Sequence, residues 1–343
     1  MAHEFESGFY TQRPAWHGLG TVLKDAPTIE EALIKSGTDW EVIEKPLYAD
    51  LGQVYGNDNR EDDLVLASRI PSHKAIVRAT DSSILGIVGE NYRPVQNREA
   101  FQWFDFLLDA GDATLEAGGS LRFGKRIWVL AKMKNGTGEV LNNDAVESYL
   151  LLSNAHDGTM GVWLMFTPIR VVCMNTLSSA LSTANGQAKI GKAISIRHTE
   201  SVTAQLEFAK SLVDTASRTF SDSIETYKEF ARKRMNDKQF EGYFDRVFWG
   251  DHKVNMEKIE AEEKNPRDTS RVFAKVRELF ECGTGQDIAG VRGTVWAGYN
   301  AFTEFVDHHR ANSDESRLDG TWFGDGNALR SRAFREAEKL VRI

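Results

Sequence analysis

Near His198 the spacing of apolar residues changes from every second position to every third or fourth, and that switch constrains the fold more than any other feature of the chain. Before it, strand-like runs at Trp40 to Leu47, Leu64 to Ser68, His73 to Ala79 and Ile84 to Val88 alternate with Gly, Asp and Asn clusters. After it, Val202, Leu206, Phe208, Ala209, Leu212 and Val213, then Phe220, Ile224, Tyr227 and Phe230, repeat with helical spacing to about Met235. Further helices are expected at Lys238 to Phe248, Arg271 to Phe280, Val291 to His308 and Ala328 to Val341. The expected fold is α+β, with an antiparallel sheet packed with helices over residues 1–198 and an all-helical region over residues 199–343.

Local signals sharpen this outline. Thr28-Ile29-Glu30-Glu31 matches a capping box opening a short helix to about Lys35. Asn97 is the expected N-cap of a helix whose apolar face, Phe101, Phe104, Leu107 and Leu108, lies on the sheet. Thr114 to Glu116, Leu121 to Phe123 and Arg126 to Met133 read as a hairpin system turned by Gly118-Gly119 and by Gly124. Tyr149 to Ser153 and Val162 to Phe166 read as strands joined by the turn at residues 154–158. In the stretch Thr167 to Thr176 a single charged residue, Arg170, sits in an apolar run. Its guanidinium is expected to be buried against a carboxylate or backbone carbonyls. Asn175 or Thr176 is the expected cap of a following helix carrying Leu177, Ala180 and Leu181.

Composition narrows the function classes. The 343 residues, 41% hydrophobic and 27% charged, suit an ordinary globular protein, and no apolar run approaches the ~20 residues of a bilayer span. The acidic N-terminus lacks the pattern of a signal peptide, so a cytoplasmic protein is expected. Cys173 and Cys282 are far apart and read as free thiols, with Cys173 a buried structural residue beside Val171 and Val172. A net charge of −8 argues against coating nucleic acid with the whole surface, but leaves room for a local basic groove.

Two basic stretches could form such a groove. Arg122, Lys125 and Arg126 lie beside Phe123 and Trp128, a mixture that binds phosphate and stacks bases, although a solvated hairpin tip explains the same residues. Lys189, Lys192 and Arg197 interleave with Ile190, Ile194 and Ile196, which is also the pattern of a protected edge strand. Gly119 to Lys125 has the spacing of a phosphate-binding loop, but Arg126 replaces the hydroxyl residue and a strand follows instead of a helix. His156-Asp157, His17 beside Trp16, and Asp307-His308-His309 match no metal-ligand spacing, so no metal and no cofactor are expected.

Pro14-Ala15-Trp16-His17-Gly18-Leu19-Gly20, Asp157-Gly158-Thr159, Arg170-Val171-Val172-Cys173-Met174-Asn175-Thr176-Leu177, and Gly293-Thr294-Val295-Trp296 with Tyr299-Asn300-Ala301 carry a resemblance. By these motifs the chain resembles the phage and plasmid-related family that carries the domain of unknown function 932, with small departures at Ala15 and Thr159. The resemblance implies a phage, prophage or plasmid setting in a bacterial cytoplasm and marks His17, Asp157, Arg170, Cys173 and Asn175 as motif positions without supplying a reaction. By analogy of fold alone with phage single-strand annealing proteins, the leading expectation is a non-enzymatic, homo-oligomeric protein that binds single-stranded DNA. Two other readings stand beside it: a hydrolase or nucleotide-modifying enzyme built on His17, His156, Asp157 and Arg170, and a protein that binds a host factor to counter defence.

Overall fold

The fold is described from a computed structural model for residues 5–11, 20–54, 64–102, 104–109, 111–176, 202–249, 271–310 and 325–342. Its centre is a meander of four long strands: β6 (Ala113–Leu121), β7 (Arg126–Leu141), β8 (Asp144–Ala155) and β9 (Trp163–Arg170). Alternation along β7 sends Ile127, Val129, Ala131 and Met133 to one face and Trp128 and Leu130 to the other, and both sets are buried. Strand β8 divides likewise, with Leu150 and Leu152 on the first face and Tyr149 and Leu151 on the second.

Three shorter strands complete this sheet: β1 (Phe5–Thr11), β2 (Thr21–Leu23) and β10 (Asn175–Thr176). The order is β10-β9-β8-β7-β6-β1-β2, antiparallel except for the parallel β1–β2 pair. A second, three-stranded antiparallel sheet runs β3 (Val42–Val54), β4 (Leu64–Arg78) and β5 (Ile84–Gly89). The two separate runs expected at Leu64 to Ser68 and His73 to Ala79 are thus one strand, which shifts register against β3 between Pro46 and Leu47, where β4 passes over Pro71, Ser72 and His73.

Helix α1 (Ile29–Lys35) begins at the expected capping box: Thr28 Oγ1 accepts from the Glu31 amide, and the Glu31 carboxylate accepts from the Thr28 amide at 2.9 Å. With α2 (Asn97–Gln102) and α3 (Asp105–Asp109) it covers the first face of the sheet through Ile29, Leu33, Phe101, Phe104 and Leu107. The single helix expected from Asn97 is therefore two. Asn97 does not cap; its side chain reaches sideways, donating to the Thr38 carbonyl at 2.8 Å and accepting from the His156 ring at 2.7 Å.

The helical half contains α4 (Val202–Arg232), α5 (Asp237–Trp249), α6 (Arg271–Cys282), α7 (Val295–Glu304) and α8 (Asp325–Val341), with a π-helical turn, Phe305–His309, continuing α7. Among the described residues beyond 200 the strand-like pairing is one isolated bridge, Arg234 with Thr294. The core here is aromatic: Tyr227 stacks on Tyr299 at 6.3 Å, and Phe240 stacks on Phe280 at 4.3 Å. Val140 of β7 and Val146 of β8 belong to that same core, so sheet and helices share buried surface.

One local expectation is corrected. Gly118 and Gly119 do not turn the chain but lie inside β6, opposite Phe9 and Gly8 of β1. Their lack of a side chain admits β1, since a Cβ on Gly119 would stand 2.4 Å from the Ser7 carbonyl oxygen. Asn175 and Thr176 form β10 against Arg170 and Ile169, and the helix expected to follow them lies outside the described residues. A Gly119→Val variant is expected to lose about 1–3 kcal/mol through this clash, read as a lower urea midpoint. An unchanged midpoint would mean that β1 does not approach β6 this closely.

Candidate functional site

The tip between β6 and β7, residues 122–125, is built from unusual backbone. Arg122 and Phe123 have φ of 55° and 58°, followed by Gly124 at 82°. A left-handed conformation costs a non-glycine residue roughly 1–2 kcal/mol, so neighbouring contacts must hold it. Arg78 at the end of β4 does so, donating to the Phe123 carbonyl at 2.9 Å while the Glu6 carboxylate grips its guanidinium at 2.7 and 3.0 Å. Ser120 donates to the same Glu6 at 2.7 Å, and the Trp40 ring lies 4.6 Å from the Arg78 guanidinium carbon. From the far side the His156 amide donates to the Lys125 carbonyl at 2.8 Å.

This scaffold leaves Phe123 56% exposed, with Arg122 and Lys125 half-buried on either side. Arg126 and Trp128, read from sequence as part of the same surface, are 6% and 1% exposed. Trp128 is a core side chain on the second face of the sheet, beside Tyr10 and Leu130, and in this structure it offers no stacking surface. Alternation along β7 decides this, because an aromatic next to a turn still follows the pleat. Lys189, Lys192 and Arg197, like His17, lie outside the described residues.

A second polar centre joins sheet to helices. Arg170, at the end of β9, is wholly buried and forms a two-pronged pair with Asp144 at the start of β8, at 2.7 and 2.8 Å. The Trp296 indole donates to the same carboxylate at 2.8 Å, and the guanidinium also reaches the Thr284 and Gly285 carbonyls at 3.4 and 3.2 Å. Around it, Glu304 accepts from the Thr284 amide at 3.0 Å, and Asp307 accepts from the Thr176 amide at 2.6 Å and from Arg330 at 2.9 Å. Asn175 donates to Thr303 at 3.1 Å, which leaves its carbonyl oxygen to accept from His308 Nε2 at 3.1 Å.

The chemistry available here is that of a fastening. Burial pushes the Cys173 thiol up to about 12, so it stays protonated and is no nucleophile near neutral pH. Burial likewise lowers His156 to about 4, and because the Asn97 carbonyl oxygen faces its Nε2, the neutral ring carries its proton there. Asp157 is used by its own turn, accepting from the Thr159 amide at 2.9 Å. Of the residues of the enzymatic reading that are described, Arg170 stands apart from His156 and Asp157: it lies opposite Val146, while His156 follows Ala155 at the far end of β8, roughly 30 Å of extended chain away. Among the described residues no three His, Cys, Asp or Glu side chains are grouped to hold a metal ion.

The partners of these residues were not visible in the sequence. Asp144 stands 26 residues before Arg170, and Trp296 stands 152 beyond Asp144, so their meeting depends on strand register and on the docking of α7. The only sequence signal was the need itself, since a charge in an apolar run must be paired.

Arg170→Ala is expected to lose about 3–5 kcal/mol, because Asp144 is then buried without its cation. Arg170→Met combined with Asp144→Leu is expected to lose less than Arg170→Ala alone, measured by chemical denaturation. His156 gives a pH test. Its folded value lies below the usual 6.5, so the unfolded chain binds the proton better and stability falls as pH drops from about 6.5 to about 4. The loss is on the order of 3 kcal/mol, and His156→Gln is expected to flatten that part of the stability curve.

A family model described as a domain of unknown function (DUF932) matches residues 84–339, from β5 into α8, including the β6–β7 tip and the Arg170 centre. No curated protein and no solved structure matches the chain. With a family model matching most of its length, the chain belongs to the DUF932 family.

Proposed function

We propose that this chain is a non-enzymatic single-stranded nucleic-acid-binding protein of a phage or other mobile element, working as a homo-oligomer, with the β6–β7 tip as its contact surface. The observation that carries the reading is Phe123, 56% exposed on a left-handed tip that Arg78 pins by its carbonyl, with a cation on each side. Holding a large apolar ring in water at the expense of backbone strain is a poor solution for a structural residue. It suits a stacking platform, because every base offers a π-face and stacking contributes about 1–3 kcal/mol per base.

Arg122 and Lys125 complete the chemistry by meeting the phosphates that flank a stacked base. A tip this narrow favours a single strand, whose bases are free to leave their own stack, over a duplex whose bases are enclosed. The mobile-element setting rests on the motif resemblance alone. The chain's net charge of −8 restricts nucleic acid to a local patch and makes affinity sensitive to salt.

Fluorescence anisotropy with a labelled oligothymidylate tests this. Phe123→Ala is expected to weaken binding by about 1–3 kcal/mol with little change in salt dependence. Arg122→Ala with Lys125→Ala is expected to weaken it while flattening the slope of log affinity against log salt by ~0.7 for each lost contact. Wild-type protein that binds no single strand at low salt, or a Phe123→Ala variant that binds as wild type, would count against the proposal.

A further inference from the structure

The three-stranded sheet runs on into an arm. Strand β5 pairs with β4 only from His73 to Val77, whereas β3 and β4 continue together, so residues 47–54 and 64–70 form a two-stranded ribbon about 25 Å long with no third strand among the described residues. Tyr48 is 57% exposed and Leu51 64%, and across the ladder Ala67, Ser68 and Arg69 are exposed in succession, so both faces of the ribbon meet water. A two-stranded ribbon with open edges is marginal on its own and is a template for association. The register shift between Asp50 and Gln53 sets Leu51 and Gly52 against Leu66, a bulge of the kind that re-aims a side chain.

Charge decides what the arm can meet. The residues that join its two strands in sequence, 55–63, include Asp58, Glu61, Asp62 and Asp63 against one cation, Arg60. An acidic arm repels phosphates, so it is not a reader of nucleic acid even though a two-stranded ribbon fits a major groove. The complementary charge is on the helical half, where Arg232, Arg234, Lys238 and Arg292 are exposed around the end of α4, and Arg234 donates to the Arg292 carbonyl at 3.0 Å. Of the acids nearby in sequence, Asp237 is 3.1 Å from Arg277, and Glu229 lies one helical turn before Lys233.

Among these cations a cavity of about 160 Å³ opens where the end of α4 meets the start of α7, floored by Met235, Val295 and Leu340. Its surface is almost wholly apolar, so Lys233, Arg234 and Gln239 border it with their aliphatic stems. A void of about 150 Å³ admits a benzene-sized group, which is the scale of one large apolar side chain. Arm and cavity belong to opposite ends of β8. Strand β5, beside the arm, packs on the turn after β8, where a Cβ on Gly86 would stand 2.5 Å from the Asp157 Cα, whereas Val295 adjoins Trp296, whose indole reaches Asp144 at the start of β8.

We propose that the β3–β4 arm of one copy docks on a second copy of this chain, Leu51 entering the cavity over Met235, Val295 and Leu340, with the arm's acidic charge drawing it to the surrounding cations. The apolar plug supplies the fit, and the charges supply orientation and exclude nucleic acid from the same surface. Because arm and cavity are different surfaces, the contact is heterologous: each pairing leaves one arm and one cavity open, and it propagates into a ring or a filament. This contact supplies the subunit interface of the homo-oligomer proposed above and rests on that reading for oligomerisation alone. The β6–β7 tip takes no part in it.

Sedimentation velocity of the full chain without nucleic acid, over a range of protein and salt concentrations, tests it. Wild type is expected to assemble as its concentration rises, and less so as salt rises. Leu51→Asp, on the exposed arm, is expected to weaken assembly at least tenfold. Leu340→Trp, which fills the cavity from its half-buried edge, is expected to do the same. Mixed together, these two variants are expected to form a one-to-one dimer that grows no further, because the first keeps its cavity and the second its arm. Arg234→Glu with Lys238→Glu is expected to weaken assembly and flatten its salt dependence. Phe123→Ala is expected to assemble as wild type, so failure of the tip and failure of this contact are read separately. The proposal is overturned if wild type stays monomeric throughout, if Leu51→Asp assembles as wild type, or if the two folded variants do not pair when mixed. A Leu51→Asp variant that loses oligothymidylate affinity while assembling as wild type would make the arm a nucleic-acid contact and overturn the proposal likewise.

Discussion

The pairing of Arg170 with Asp144 is the constraint on which the junction of sheet and helices depends. Two opposite charges, both wholly removed from water, are tolerable only where each remaining hydrogen-bonding position is filled. The helical half fills them, through the Trp296 indole on the carboxylate and the carbonyls of Thr284 and Gly285 on the guanidinium. Separating helices from sheet would expose or orphan a buried ion pair, so the two halves are bound to one arrangement. The shared apolar core around Val140 and Val146 follows from the same docking. The neighbouring contacts of Asn175 with Thr303 and Thr176 with Asp307 extend the fastening along β10.

With the charged centre committed to architecture, interaction chemistry falls to the surface. Phe123 contrasts with Arg170: it is exposed where the other is buried, it sits on left-handed backbone where the other is satisfied, and its neighbours along the chain include the half-buried cations Arg122 and Lys125. The Arg78 contact to the tip carbonyl links the two sheets, so the tip is held from β4 and from the turn carrying His156. An element held from two sides presents its ring at little further entropic cost on binding.

Much of the fold was legible from the chain because it follows from local rules. The capping box at Thr28, the helical periodicity after residue 200 and the burial of Arg170 each rest on residues close in sequence or on a charge that must be paired. What was not legible depended on tertiary contact. Gly118 and Gly119 carry the signature of a turn, yet they serve the approach of β1. Asn97 carries the signature of a cap, yet His156 and Thr38 claim its side chain. Arg126 and Trp128 were grouped with the tip by proximity, and the pleat of β7 turned them inward. The tip itself was visible as a cluster of basic and aromatic residues, but its left-handed backbone and the Glu6–Arg78 support were not, because Glu6 and Arg78 lie 72 residues apart.

Hydrogen–deuterium exchange of the full chain with and without an oligothymidylate tests the central functional claim most directly, because it maps contact without altering any residue. Binding through the tip is expected to slow exchange at residues 120–126 and to leave the amides around Arg170 and Asp144, already enclosed by sheet and helices, unchanged. Bound oligonucleotide with no protection at residues 120–126 would contradict the claim.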